Sequence, residues 1–179
     1  MKSLTEFPKN SLPTFTGKIV NLLDPDVTTI YPVDIAVGLA RQCRFGGHTK
    51  DFYSVAEHSD WCRQQCDIMY PGDTRLQFVV MMHDAHEYIL GDIPTPLKML
   101  IPEYNFIAAN LQDAIHRRFG IHCTRADEAI INEIDKMALD YEWENKLHKR
   151  SGLRMHEKTV TDIFIHHFVK LCKTPFALQ

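Results

Sequence analysis

The sequence predicts an all-α fold, a compact bundle of about six helices in one domain spanning residues 1–179. Long stretches repeat their apolar residues with a helical period, and no segment keeps up the strict alternation of a strand. Glycine and proline breaks fall between those stretches. A chain of 179 residues, 45% of them hydrophobic, is one domain's length with material for a sizeable core.

Residues 1–30 carry prolines and turn formers and read as an irregular segment, with one short extended piece around Lys18–Leu22. A helix follows from Tyr31. Pro32 suits a first turn, and Ile35, Leu39 and Cys43 make one apolar face before the Gly46–Gly47 break. Tyr53 to about Met69 forms the second helix, closed by Pro71–Gly72. Thr74 to Leu90 forms the third. Its run Phe78, Val79, Val80, Met81, Met82 is apolar all round, as in a buried helix, and Gly91 with Pro94 and Pro96 ends it. Tyr104 to Phe119 is the fourth, stopped by Gly120. Thr124 and Asp127 make a variant capping box opening a helix from Arg125 to about Lys149, with Ile130, Ile131, Ile134, Met137, Ala138 and Tyr141 inward. Ser151–Gly152 interrupts, and His156 to Lys173 is the last helix.

A net charge of −3 gives no strong field toward a nucleic-acid polymer or a membrane surface. No run of about 18 apolar residues occurs, and the N-terminus lacks the pattern of a signal peptide. Five cysteines without zinc-ribbon spacing read as reduced thiols, which implies a cytoplasmic setting.

The chemistry concentrates at His83-Asp84-Ala85-His86-Glu87, inside the most apolar helix. Charged groups are seldom buried unless paired or bound to metal. His83 and Asp84 differ by roughly 100° around a helix and can both reach one ion over the groove between them. Glu87 lies one turn beyond His83 on the same face. A polar network tying the core together explains the same residues. His58, among apolar Val55 and Trp61, is either a core histidine or a ligand; Asp135, beside Ile134, is either a solvated edge residue or a ligand. Two histidines and two aspartates from three helices would make a partly open site for a divalent transition metal, with Zn, Co and Mn all admissible. His58, Cys62 and Cys66, spaced four apart, offer a softer donor set, though buried cysteines usually pack as small hydrophobes.

Several segments recur in a familiar order: Arg44-Phe-Gly-Gly-His48, Tyr53-Ser-Val-Ala-Glu-His58-Ser, His83 through Lys98, and Asp135 with Glu142 seven residues on. This set resembles the HD phosphohydrolase superfamily, and within it the small single-domain nucleotidases of bacteria and phages, over about Gly17 to Glu142. The resemblance implies that His58, His83, Asp84 and Asp135 ligate the metal. It implies that Glu87 and Asp92 position or activate the attacking water, and that Arg44 and Lys98 contact phosphate. Phe45, Thr95 and Pro96 then belong to the substrate pocket. Related bacterial enzymes often carry a small residue at the place of His86, and the bacterial 5′-nucleotidases have Trp at the place of Phe45.

The expected function is metal-dependent hydrolysis of a deoxynucleotide, favoured as a dATP triphosphohydrolase giving deoxynucleoside and tripolyphosphate. A 5′-deoxynucleotidase acting on dNMPs uses the same residues. A non-catalytic nucleotide sensor is the reading from another class. The family analogy, with the apolar stretches Met99–Pro102 and Phe176–Leu178, also implies a homo-oligomer.

Overall fold

The computed structural model describes residues 8–150, 152 and 154–176. The fold is all-α. Six helices have eight or more residues: α1 (Pro32–Arg41), α2 (Val55–Met69), α3 (Thr74–Met81), α6 (Pro102–Phe119), α7 (Arg125–Glu142) and α8 (Glu157–Leu171). Two single turns, α4 (Glu87–Leu90) and α5 (Thr95–Lys98), complete the set among the described residues. The irregular N-terminus contains a small antiparallel hairpin, β1 (Ser11–Pro13) with β2 (Ile19–Asn21), in the register Leu12 opposite Val20. It is tied to α1 where the Thr16 backbone N–H and hydroxyl both donate to Asp34, at 2.7 and 2.8 Å.

The main core joins α1, α2, α3, α6 and α8. Ile35, Leu39, Met82, Leu111, Phe164 and Phe168 are sealed from solvent, and Phe168 meets Phe78 and Phe119 edge to face at 5.2 and 4.9 Å. Helix α1 approaches α4 so closely that a Cβ at Gly38 would collide with the Tyr88 carbonyl oxygen, which accounts for a glycine inside a helix. A smaller core places Cys62 and Cys66 of α2 against Leu76 and Val80 of α3 and Ile134 and Ala138 of α7. Helix α2 therefore packs against α7, which carries Asp135, and against α3, whose C-terminal end leads into His83 and Asp84.

Two boundaries depart from the sequence expectation. The helix expected over Thr74–Leu90 is interrupted at residues 82–86, between α3 and α4. The helix expected to reach Lys149 ends at Glu142 and widens into a π-turn, Trp143–Leu147. Residues 95–98, between the third and fourth expected helices, form a further helical turn. Met137, expected inward, is exposed. The Ser151 break and most of the Phe176–Leu178 stretch lie outside the described residues. No helix among the described residues is long and apolar enough to cross a membrane, and all five cysteines are unpaired.

Candidate metal centre and substrate pocket

Helix α2 is set locally. Ser54 caps it, accepting from the Glu57 N–H at 3.2 Å, while Glu57 accepts from the Ser54 N–H at 2.9 Å. One turn on, His58 points inward with no exposure, and its Nδ1 meets Oε1 of equally buried Glu142 at 2.8 Å. With Nδ1–H committed to that carboxylate, Nε2 is left with its lone pair facing the site.

The α3–α4 break has a physical cause. In a continuous helix the His86 N–H would bond to the Met82 carbonyl. Instead Gln112 of α6 enters the ladder: its Nε2 donates to Met82 O at 2.7 Å, and its Oε1 accepts from His86 N at 3.0 Å. The backbone tightens to three-residue bonds, Ala85 N–H to Met82 O and Glu87 N–H to Asp84 O. The His83 ring bonds through Nδ1 to the Val80 carbonyl at 2.7 Å, which again leaves Nε2 free. His86 also meets Gln112 through its own Nδ1 at 3.1 Å and does not line the cavity described below, so it belongs to the splice.

All four expected ligands converge. His58 Nε2 lies 3.4 Å from His83 Nε2, 3.5 Å from Asp84 Oδ2 and 3.3 Å from Asp135 Oδ1. His83 Nε2 lies 3.2 Å from Asp84 Oδ2 and 3.9 Å from Asp135 Oδ1. Nitrogen and oxygen donors about 2.0–2.2 Å from an ion stand about 3.0 Å apart at right angles and about 3.4 Å apart at tetrahedral corners. These separations fit one ion at the centre.

His58, Cys62 and His83 also bring donor atoms within 4.8 Å of one another and could hold a metal ion. Position distinguishes the two sets. A thiolate sharing an ion with His58 Nε2 would stand about 5 Å from Nδ1, because the ion lies on the Nε2 lone-pair axis beyond the ring. Cys62 Sγ is 3.7 Å from Nε2 and 3.9 Å from Nδ1, so it sits beside the ring. The carboxylates are the better-placed partners.

Charge points the same way. Burial alone would lower the pKa of His58 and His83. Cys62, Asp135 and Glu142 around His58, and Asp84 and Asp135 around His83, outweigh it and hold both imidazoles well above the usual histidine value. Against their own burial, the imidazoles hold Asp84 and Asp135 well below the usual carboxylate range. The cluster draws positive charge to its centre. With both imidazoles in the neutral form that a metal ligand takes, Asp84, Asp92, Asp135 and Glu142 face two cations, Arg44 and Lys98, among the described residues, and Lys98 is already paired with Glu87. A divalent cation would offset much of that excess.

The centre opens into a cavity of about 680 Å³, within the range of small-molecule sites. Asp84, Asp135, Glu87 and Asp92 line it, together with Arg44, Phe45, Thr95, Pro96 and Lys98, so every expected substrate residue reaches the same space. Arg44 is mostly buried and donates to Glu142 Oε2 at 2.9 Å, with Asp92 at 3.7 Å and its Nε unpartnered. Burial opposes its charge, but Glu142, Asp92 and Asp84 raise its pKa further. Lys98 Nζ donates to Glu87 Oε1 at 2.9 Å. Oε2 of Glu87 is buried without a partner. Burial, with Asp84 and Asp92 nearby, pushes Glu87 up to about 8. Asp92 is raised too, by burial first. Gly91, at φ 82°, supplies the left-handed turn that carries the chain from Glu87 to Asp92.

Phe45 holds φ 54°, a conformation side chains rarely adopt and one costing on the order of 1 kcal/mol or more. Glycine would relieve it. Phe45 lines the cavity from that conformation, with the Arg44 guanidinium 5.5 Å from its ring centroid.

Two residues were not given roles by the sequence. Glu142 joins His58 to Arg44, and its place seven residues after Asp135 was the available signal. Gln112 carried no local signal, because its partners lie on another helix.

No family model matches the chain. Two curated proteins are similar over part of it. The uncharacterized protein YfdR of Escherichia coli is 38% identical over 108 residues, covering 60% of this chain and 57% of YfdR. An uncharacterized protein of Rhodobacter capsulatus is 41% identical over 110 residues, covering 59% of this chain and 56% of that one. The chain thus matches little more than half the length of either relative, and neither name carries an activity.

Proposed function

We propose that the protein is a metal-dependent deoxynucleotide phosphohydrolase of the HD type. The observation that carries this reading is the convergence of His58, His83, Asp84 and Asp135 beneath a cavity that also holds Arg44, Lys98, Glu87 and Asp92. A divalent transition ion held by the four ligands would supply Lewis-acid charge neutralisation for an anionic phosphate ester. The chain's own groups do the rest. Arg44 offers a planar fork to phosphate oxygens, and Lys98 keeps two N–H donors beyond the one given to Glu87. Glu87, near neutrality in pKa and with Oε2 unpartnered, takes the proton of the attacking water. Asp92, raised by burial, returns a proton to the leaving 5′-oxygen as the phosphorus–oxygen bond breaks.

Within this class we favour dATP and other purine dNTPs, yielding deoxynucleoside and tripolyphosphate. A 5′-deoxynucleotidase is the second reading. The scarcity of cations favours it: among the described residues that line the cavity, Arg44 and Lys98 are the two cations that face the carboxylates, which suits a monophosphate better than a triphosphate tail. A nucleotide sensor needs no water-activating carboxylates, and Glu87 and Asp92 are both present. Phosphorus NMR of the metal-loaded protein with all dNTPs and dNMPs tests the reading. Tripolyphosphate supports the triphosphohydrolase and orthophosphate from dNMPs the nucleotidase; no turnover of either set overturns both and leaves the sensor.

Self-association belongs to the same proposal. Met99 and Leu100 are 76% and 77% exposed, with Phe106 close by in sequence. Light scattering is expected to give a mass above one chain, and a monomer at high concentration contradicts it.

A further inference from the structure

The substrate cavity changes character from floor to rim. Asp84 and Asp135, with Glu87 and Asp92, line one part of it, while Leu139 of α7 and Trp143 just past the end of α7 extend the lining. Asp135, Leu139 and Trp143 are spaced four apart and form one stripe of the helix. At 1.5 Å per residue, Trp143 stands about 12 Å along the axis from Asp135. The stripe therefore runs from a metal ligand, through an aliphatic side chain, to an indole. A nucleotide has the same order: phosphate, sugar, base.

The local backbone presents that indole outward. At Trp143 the α-helix gives way to the wider π-turn, a device frequent at functional sites. Trp143 is 59% exposed although it follows fully buried Glu142. Its one ring neighbour among the described residues is His148, at 5.0 Å, itself bonded to the Trp143 carbonyl at 2.7 Å. Trp61, by contrast, is stacked on Tyr141 at 5.2 Å and has its partner within the fold. Exposure alone is unremarkable for a large apolar residue. Exposure on the stripe that leads out from a metal ligand is a different matter.

We infer that Trp143 is the platform on which the substrate's nucleobase stacks, with Leu139 beneath the sugar. The inference rests on the nucleotide reading of the site. Stacking on an aromatic tolerates every base, because each has a π-face. Trp143 therefore gives affinity for nucleotides over base-free phosphates, and other groups must choose among bases.

The chain has two tryptophans, so Trp61→Phe leaves Trp143 as the reporter. Deoxyadenosine is expected to quench its emission, and deoxyribose 5-phosphate is not. In calorimetry, Trp143→Ala should weaken dAMP binding about 5- to 150-fold, the equivalent of about 1–3 kcal/mol. Deoxyribose 5-phosphate binding should be unchanged, and Trp143→Phe should restore much of the dAMP affinity. Absence of quenching by deoxyadenosine, or equal losses for dAMP and deoxyribose 5-phosphate, overturns the inference. Quenching with no hydrolysis of any nucleotide removes the hydrolase reading and keeps the platform. Hydrolysis with no preference for base-bearing ligands removes the platform and keeps the hydrolase.

Discussion

Asp135 and the His83–Asp84 pair meet at one point but reach it by different routes. Asp135 rides on an unbroken helix that starts at a capping box: Thr124 accepts from the Asp127 N–H at 3.2 Å, and Asp127 accepts from the Thr124 N–H at 2.8 Å. Arg75 adds a two-pronged contact to Asp127 at 2.7 and 3.0 Å. The cap that starts the helix of Asp135 is written in its own segment, at Thr124 and Asp127, and Arg75 of α3 reinforces it. His83 and Asp84 sit where a helix is spliced by Gln112, 26 residues beyond His86 in the chain. The comparison teaches that half of the centre is encoded locally and half by a tertiary contact. The two halves should therefore fail differently.

The largest effect is expected at neither half but at the group facing both. We predict that Glu87→Gln lowers turnover about 10²–10⁴-fold while metal content and nucleotide binding persist. Steady-state kinetics with elemental analysis checks this; an emptied metal site would make Glu87 a ligand instead. Next comes Glu142, which fixes the His58 tautomer. Glu142→Gln should weaken metal binding about 10–100-fold in calorimetric titration, as loss of a carboxylate behind a ligating imidazole typically does. An unchanged affinity would reduce Glu142 to a partner of Arg44 alone.

The spliced half is tested by Gln112→Leu. The His86 N–H loses its partner and the Met82 carbonyl keeps only its bond from the Ala85 N–H, a cost of about 1–3 kcal/mol in urea unfolding. Metal affinity should fall as well, because the tight turn that aims His83 and Asp84 relaxes toward regular helix. The local half is tested by Asp127→Asn, which should cost about 1 kcal/mol through the weakened cap and leave metal affinity unchanged. Arg75 is half exposed, so its ion pair adds little beyond the cap. The pH dependence has a definite sign. Arg75, chiefly, holds Asp127 below the usual carboxylate value. Its stabilisation is present above the unfolded pKa of about 3.9 and is lost as pH falls toward the depressed folded value. The stability gap between wild type and Asp127→Asn should close below about pH 4. If Gln112→Leu spared the metal and Asp127→Asn released it, the contrast between the halves would be reversed.

The same contrast explains what could be read from the sequence. The start of α7 was legible because a capping box is a four-residue pattern. The stop of α6 at Gly120 was legible for a similar reason. The break at residues 82–86 was not, because nothing in Met82 through His86 disfavours a helix and the interrupting amide comes from α6. The π-turn after Glu142 was equally silent, since the apolar period continues through it. The four candidate ligands were found as residue types in order, but spacing left a polar network or a lone core histidine open. The spacing carried no information on the tertiary arrangement, in which both Nδ1 atoms are engaged and both Nε2 atoms face carboxylates.

The central claim is that His58, His83, Asp84 and Asp135 bind one transition ion while Cys62 stands beside it. The electronic spectrum of the Co(II)-loaded protein tests this most directly, because a thiolate ligand produces an intense near-ultraviolet charge-transfer band and imidazole with carboxylate does not. We predict visible ligand-field bands without that feature, the same spectrum in Cys62→Ser, and loss of cobalt in Asp84→Ala and Asp135→Ala. A strong charge-transfer band that disappears together with the metal in Cys62→Ser would place the ion on His58, Cys62 and His83 and contradict the account.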